Sequence, residues 1–303
     1  MTATDSRLAP LGPYDREPET SPSESPRARF LRRFRRQRIA KMALGFVVLL
    51  ILTAVFAPLM APHDPIDQDL GNSFGDPSWD HWLGADRLGR DTLSRLIFGA
   101  RFSLLAAVQA VAVAVVLGVP IGILAGLARG WVDAIASTVA DAILSIPAIV
   151  LALAIIGMLK PNLTNAMIAI GVVYAPRLFR VVRGAALSVR EETFVEAARA
   201  SGVSTITIAR THVLPNVLSP LVVQISLALG FAVLAEAGVS LLGLGVQPPD
   251  ASWGVMLGQS TTQLENHPAL VLAPGMAIMA TVLAFNVLGD GLNDSIGRET
   301  RRE

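Results

Sequence analysis

The sequence predicts an all-α integral membrane protein with six transmembrane helices. Of its 303 residues, 52% are hydrophobic and 16% are charged, and the mean hydropathy is +0.53. Soluble domains carry about 25% charged residues, so this composition indicates a membrane protein. Long apolar runs alternate with polar segments, and most basic residues fall in every second polar segment. That alternation is typical of a helical protein that crosses the membrane several times.

The segment before the first apolar run divides into two parts. Residues 1–26 are rich in Pro, Ser, Thr and acidic residues, which predicts disorder. Residues 27–41 hold eight basic residues and no acidic one. Beside a membrane helix, such a run attracts anionic lipid and marks the cytoplasmic side. A nucleic-acid-binding arm is the alternative, and the apolar runs that follow disfavour it.

Six apolar runs are candidates to cross the hydrocarbon layer at about 1.5 Å per residue. They comprise residues 42–60, 104–127, 134–159, 166–176, 217–242 and 269–288. The fourth run has only 11 residues before Arg177 and Arg180, so either these arginines extend to the inner surface or the segment is re-entrant. In the second run, Gly118, Gly122 and Gly126 recur every fourth residue, which predicts the close approach of another helix.

The basic residues predict the orientation. With the amino end inside, 20 of the 25 Lys and Arg residues fall on the inner side and five on the outer side. The positive-inside rule therefore places both chain ends in the cytoplasm. The predicted organisation is a basic tail (1–41), a membrane domain (42–295) and a short tail (296–303). Within the domain, loop 61–101 is expected outside and loop 183–216 inside.

The inner loop contains a polar segment with helix signals. Thr193 and Glu196 have the spacing of a capping box, which predicts the start of a short helix. Gly202 is placed to end that helix. Ser204 is placed to cap a second helix, which is predicted to stop at Pro215.

This segment resembles the loop that defines the permease subunits of ATP-binding cassette importers. Residues 196–215 read EAARASGVSTITIARTHVLP. The family pattern is matched at Glu196, Ala197, Ala198, Gly202, Leu214 and Pro215. His212 stands where the family has an aliphatic residue, and its imidazole either packs like that residue or contacts a partner.

Further segments resemble permeases of the peptide and nickel importer group. They are HWLGADRLGRDTLSRLIFGAR at 81–101, EAGVSLLGLGVQPP at 236–249, SWG at 252–254 and LGDGLND at 288–294. With the inner loop, these matches cover most of residues 60–295. The segment at 81–101 is typical of the second of two paired permeases, which implies a homologous but different permease as partner.

The resemblance implies a function, a location and partners. It implies a multi-pass subunit of the cytoplasmic membrane that moves di- or oligopeptides inward. An extracytoplasmic binding protein would deliver the substrate, and one or two ATPase subunits would drive transport. Those ATPases would dock on a coupling helix, with contacts from Glu196, Ala197, Ala198, Arg199, Gly202, Leu214 and Pro215. The same machinery importing a nickel complex, glutathione or haem is an alternative, as is a secondary transporter.

The residues that are missing also limit the function. The only lysines, Lys41 and Lys160, do not stand in a phosphate-binding loop, so ATP and Mg²⁺ are expected on the partner subunits. There is no cysteine, which excludes disulfides, zinc–thiolate sites and a cysteine nucleophile. No catalytic triad pattern is present. The chain is therefore expected to bind no cofactor and to catalyse no reaction itself.

Two carboxylates inside apolar runs, Asp141 and Glu236, are candidates to line the pathway, because ionised groups in spans usually face protein or water. Alternatively, each bonds a small polar neighbour such as Ser145 or Ser240.

The outer loop 61–101 is rich in potential metal ligands. They are His63, Asp64, Asp67, Asp69, Asp80, His81 and Asp86. Their spacing matches no compact ligand pattern, and the many Pro and Gly residues between them favour turns. No metal site is predicted.

Overall fold

The computed structural model describes residues 26–128 and 130–296, and all regular structure in these residues is helical. The first half contains α1 (Pro26–Arg36), α2 (Arg38–Val55), α3 (Ala57–Met60), α4 (Thr92–Ala128), α5 (Gly130–Leu144) and α6 (Ala148–Leu159). The second half contains α7 (Leu163–Arg190), α8 (Thr193–Ala200), α9 (Thr205–Ile208), α10 (Leu214–Leu241), α11 (Trp253–Ser260) and α12 (Pro268–Ile296). The predicted disorder of residues 1–25, the tail from 297 onward and Arg129 lie outside the described residues.

Five continuous helices are long and apolar enough to cross a membrane. They are Arg38–Val55, Thr92–Ala128, Leu163–Arg190, Thr205–Leu241 and Pro268–Ser295. A sixth candidate is the pair α5 and α6, whose axes meet at 94° across a short break. Pro147 at the start of α6 contributes to that break, because its ring cannot continue the preceding helix.

The most extensive contact between two helices joins α4 and α7, along Gly118, Gly122 and Gly126. A Cβ atom on Gly118 would lie 2.7 Å from the Ala175 carbonyl oxygen, and one on Gly126 would lie 2.7 Å from the Ala186 Cβ. Only glycine allows the backbones to come this close, which confirms the predicted helix contact. The pairing also gives the direction: position 118 meets 175 and position 126 meets 186. The helices α4 and α7 therefore run parallel.

The parallel arrangement decides what the bent pair does. The Arg190 guanidinium donates to the Leu127 carbonyl at 2.7 Å, so the carboxyl ends of α4 and α7 lie together. The chain between them must return to the level where α7 begins. The bent pair α5–α6 covers this distance, so it counts as one broken span and the described residues contain six candidate spans.

The fourth span is not re-entrant. Its helix, α7, has 28 residues and is about 42 Å long. It is the third crossing, predicted as an unbroken run over 134–159, that is interrupted. The apolar run at 166–176 underestimates the length of this helix. Helix α7 continues through Arg180 and Arg183, and these arginines pair with acidic residues of α5. Helix α7 also extends past residue 183, so the following loop is shorter than predicted.

Much of the apolar surface of these helices is exposed. Examples on the first crossing are Val48, Leu49 and Leu52, each about half exposed. Exposed apolar side chains over a whole helix face suit a lipid environment or a partner helix. The segment before α4 is made of turns and one 3₁₀ helix, Leu70–Asn72, and its exposed apolar side chains include Leu70, Trp79 and Trp82.

Candidate functional site

The short helix predicted to begin near Thr193 is present as α8. Its residue Val195 is fully buried, whereas Glu196, Ala197 and Arg199 are exposed. The predicted capping box is wrong: Glu192 is the N-cap residue and Thr193 is the first helical residue. The reason is local, since Glu192 already has the extended backbone that an N-cap needs. The helix thus presents small and charged side chains on the side away from the protein.

Gly202 ends α8, as predicted. Its φ is +79°, in the left-handed region that favours glycine. The Gly202 N–H donates to Arg199 O at 2.9 Å, and the Val203 N–H donates to Ala198 O at 3.1 Å. These two bonds form a Schellman motif, which satisfies carbonyls at the helix end. A Cβ atom on Gly202 would touch no other residue described here, so the glycine is required by the backbone turn rather than by packing.

The second predicted helix begins as expected but does not stop at Pro215. Ser204 Oγ accepts from the Thr207 N–H at 3.3 Å and caps α9. A π-helical turn, Ala209–Val213, then leads directly into α10, so one helix runs over Thr205–Leu241. Pro215 lies in the first turn after the π segment. The wider π turn accommodates the missing N–H and the ring that would otherwise break the helix.

The loop that contains α8 and α9 packs on the helix bundle through buried apolar residues, and other apolar side chains of the loop remain exposed. Val195, Ile208 and Val213 are buried. The His212 ring lies 5.5 Å from the Phe194 ring, so its imidazole contacts an apolar side chain of the same loop. Three large apolar side chains remain exposed around α8 and α9. They are Phe194, Val203 and Ile206.

Asp141 is on an exposed face, and its partner is not Ser145. Its carboxylate accepts from Arg180 Nη2 at 2.6 Å, and both side chains are more than half exposed. Ser145 Oγ instead donates to the Ala142 carbonyl. A second, bidentate pair joins Asp133 and Arg183. The two pairs bind α5 to α7 in antiparallel order.

Arg177 is a charged residue that sequence analysis assigned only to the inner surface. Its guanidinium carbon lies 5.3 Å from the ring centroids of both Tyr174 and Phe231. Among the described carboxylates, none forms an ion pair with it. Arg177 is exposed and lies one helical turn from Arg180, so Arg177, Arg180 and Asp141 form one charged face. The sequence feature that could have indicated this charged face is the position of Arg177 within a segment long enough to form a helix.

Glu236 is fully buried at a junction of three helices. Ser240 Oγ on α10 donates to its carboxylate at 2.6 Å, and Ser103 Oγ on α4 donates at 3.2 Å. Ser103 Oγ also accepts from the Trp253 N–H of α11 at 3.3 Å. The Ser240 partner was one of the predicted alternatives. Ser103 was not predicted, because it lies 133 positions away in sequence.

The motif at 81–101 builds the turn before α4. Asp86 accepts from the backbone N–H groups of Leu88 and Arg90 and pairs with the Arg90 side chain at 2.7 Å. The Asp86 carboxylate lies 3.4 Å from Arg95, whose guanidinium also donates to Pro65 O at 3.0 Å. One carboxylate and two arginines thus hold the loop in place.

The same loop brings three potential metal ligands together. A ligand atom from each of His63, Asp80 and His81 lies within 4.8 Å of the other two. The spacing in sequence did not indicate this cluster. His63 follows α3, and the other two residues lie in a turn before α4, so only the folded loop joins them.

Two family patterns match the chain. Residues 118–302 match the family described as binding-protein-dependent transport system inner membrane component. Residues 25–77 match the N-terminal TM domain of oligopeptide transport permease C. The first match covers more than half of the chain.

The chain is also similar to curated permeases and to a solved transporter. It is 42% identical over 268 residues to the glutathione transport system permease protein GsiD of Escherichia coli O1:K1 / APEC, covering 88% of each chain. The Shigella flexneri serotype 5b protein of that name is 44% identical over the same shares. A chain of the inward-facing MetNI methionine ABC transporter has the same fold, with TM-score 0.56 at 23% identity, over 67% of this chain and 97% of that one.

The candidate spans, the short helix α8 that follows α7, and these matches all indicate the same family. The chain belongs to the family of inner membrane components of binding-protein-dependent transport systems, the multi-pass permease subunits of ATP-binding cassette importers.

Proposed function

We propose that this permease imports di- or oligopeptides, as one of two homologous permeases around a shared pathway. Two observations support a peptide substrate: the match to an oligopeptide permease domain and the relatives named for glutathione, itself a tripeptide. The segment at 81–101 supports the pairing, since it resembles the second of two permeases. An extracytoplasmic binding protein delivers the substrate, and its docking surface lies on the long loops before α4 and around α11.

The observation that carries the coupling part of the proposal is the surface of α8. Small side chains, Ala197 and Ala200, allow close approach by another protein, and Phe194 and Ile206 supply exposed apolar area beside them. The Glu196 and Arg199 charges are exposed, and such charges contribute only about 0–1 kcal/mol to an ion pair. An ATPase subunit therefore recognises mainly the shape of this helix. Buried Val195 transmits the ATPase movement to the bundle.

The charged face of α5 and α7 supports a pathway for a zwitterionic substrate. A charge inside a span avoids lipid and faces protein or water. The face with Asp141, Arg177 and Arg180 thus turns toward the second permease or the pathway. Arg177 is suited to a substrate carboxylate, because it has no acidic partner among the described residues. Glu236 remains a candidate from sequence, but its burial and its serine partners favour a role in holding α4, α10 and α11 together.

ATP and Mg²⁺ are assigned to the partner ATPases, and this chain is proposed to be a translocation subunit without catalytic activity. The absence of a Gly-Lys phosphate-binding loop supports that assignment. In this proposal the amino end, the loop that contains α8 and the carboxyl end lie in the cytoplasm. Their placement follows from the distribution of basic residues.

Reconstitution tests the proposal. The complete importer in proteoliposomes, with its binding protein outside and ATP inside, should accumulate a labelled dipeptide or tetrapeptide. A Walker-lysine variant of the ATPase is the matched control and should abolish uptake. Uptake that follows an ion gradient and persists with this control would instead identify a secondary transporter.

Glutathione is the second candidate, and the names of the 42–44% identical relatives favour it. Its γ-linked glutamate distinguishes it from ordinary peptides. Competition separates the two: unlabelled glutathione should suppress dipeptide uptake only if both use one binding protein. Thermal shifts of that binding protein with each ligand give an independent ranking, since stabilisation grows with ligand concentration over Kd.

A further inference from the structure

The loop before α4 places two imidazoles and a carboxylate around one small space. His63 Nε2 lies 3.5 Å from Asp80 Oδ1, and His81 Nε2 lies 3.9 Å from Asp80 Oδ2. The two rings lie side by side, with centroids 4.8 Å apart. Both imidazoles therefore direct Nε2 toward the same carboxylate, which contributes a different oxygen to each.

These distances are long for hydrogen bonds and close to those between ligands of one metal ion. An N–H···O bond spans about 2.7–3.2 Å. A tetrahedral zinc ion with bonds of about 2.0–2.1 Å separates its ligands by about 3.3 Å. With one ligand atom from each residue, the three atoms lie within 4.8 Å of one another, and the Asp80 side chain is 82% exposed, so it is free to move toward the two rings.

The opposite edges of both rings face a second carboxylate, which is buried. His81 Nδ1 lies 2.9 Å from Asp91 Oδ1, and Asp91 Oδ2 also accepts from the Ser94 N–H at 2.7 Å. This arrangement leaves His81 Nε2 free to act as a ligand. A metal-bound histidine commonly has such a carboxylate on its other nitrogen, which fixes the ring and increases its basicity. His63 Nδ1 lies 3.9 Å from the same Asp91 and has no hydrogen-bond partner in the described part of the chain.

We propose that His63, Asp80 and His81 bind a divalent transition-metal ion of the Zn²⁺ or Ni²⁺ type, with Asp91 orienting His81. Two imidazoles and one carboxylate are a donor set that such ions accept, and the remaining position is open to water. The ion joins the end of the first crossing to the start of the second. Metal binding here is independent of the proposed peptide substrate.

Direct metal titration tests the site. The full-length chain, purified without a histidine tag in lipid nanodiscs and stripped with a chelator, is titrated with Zn²⁺ against a competing dye. We expect one tight site per chain, and at least a tenfold loss of affinity in Asp80→Asn and in His63→Gln. Co²⁺ in place of Zn²⁺ should give the visible absorption of a low-coordinate site. The absence of cysteine simplifies the assignment, since no thiolate competes.

Matched controls are available in the same chain. His267→Gln removes a histidine that stacks on Phe74 outside the cluster, and Asp76→Asn removes an exposed carboxylate of the same loop. Both should bind Zn²⁺ like the parent chain. Equal affinity in the parent and Asp80→Asn would overturn the proposal, as would a site lost only in His267→Gln. Because Asp80 is exposed, melting temperatures without metal should match, so a folding defect does not confuse the result.

Discussion

Glu236 is a buried acceptor for two serine hydroxyls on different helices, Ser103 and Ser240. We expect Glu236→Ala to destabilise the permease by about 1–3 kcal/mol for each hydroxyl left unsatisfied. Glu236→Gln keeps a carbonyl acceptor and should lose much less. The measurement is the melting temperature of the purified chain in nanodiscs.

The same variants separate a structural role for Glu236 from a role in the pathway. If Glu236→Ala melts like the parent chain but no longer transports, the carboxylate acts on the substrate and the structural interpretation is wrong.

Arg177 provides a second prediction about a single residue. Arg177→Gln should raise the KM for peptide uptake about tenfold or more, because a charge-assisted hydrogen bond contributes about 1.5–3 kcal/mol. The effect should disappear with a peptide amide, which lacks the terminal carboxylate. An equal loss for the acid and the amide would show that Arg177 does not contact the carboxylate.

The coupling helix makes a prediction at the scale of an element. Gly202→Trp forces a side chain into a left-handed turn and adds bulk on the exposed side of α8, so it should prevent co-purification of the ATPase subunit. Glu196→Gln should cause only a small loss, because an exposed charge contributes little. Pull-down of the ATPase and uptake are the two measurements.

Gly243→Trp is the matched control for backbone strain. Gly243 also has a positive φ, +77°, and a Cβ atom there would contact nothing in the described chain, but it lies at the other end of α10. This control should retain the ATPase. If Gly202→Trp also retains it and uptake is normal, α8 is not the docking helix.

Orientation is a property of the whole molecule, and the missing cysteines make it measurable. In right-side-out vesicles, Trp79→Cys and Lys160→Cys should react with an impermeant maleimide, whereas Ile206→Cys should react only after permeabilisation. The parent chain is an unlabelled background. The opposite pattern would reverse the proposed topology. Protection of Lys160→Cys alone would show that α5 and α6 form a re-entrant hairpin.

The sequence predicts those features of the fold that local chemistry determines. Six crossings, the glycine contact and the turn at Gly202 follow from hydropathy, residue size and backbone preference. The break between α5 and α6 does not follow from hydropathy, because a bend leaves the hydropathy of the run unchanged; Pro147 was the residue in 134–159 that indicated it. The continuation through Pro215 was missed because proline normally ends a helix, and only the π turn shows why it does not.

The candidate sites divide in the same way. Gly202 and Ser204 act on residues within four positions, so the sequence alone predicts their roles. The partners of Glu236, Asp141 and His63 lie far along the chain, at Ser103, Arg180 and Asp80. No spacing rule connects such residues, and they meet only because helices pack side by side or a long loop closes.

The uninterrupted helix Thr205–Leu241 has a mechanical consequence. Its 37 residues reach about 55 Å, which exceeds the thickness of the hydrocarbon layer. One end adjoins α8, and the other carries Glu236 and contacts α11 on the opposite face. A close-packed helix is stiff along its axis. We therefore expect a movement imposed at one end of this helix to reach the other end, with the π turn at Ala209–Val213, Pro215 and Pro220 as the positions where the helix can bend.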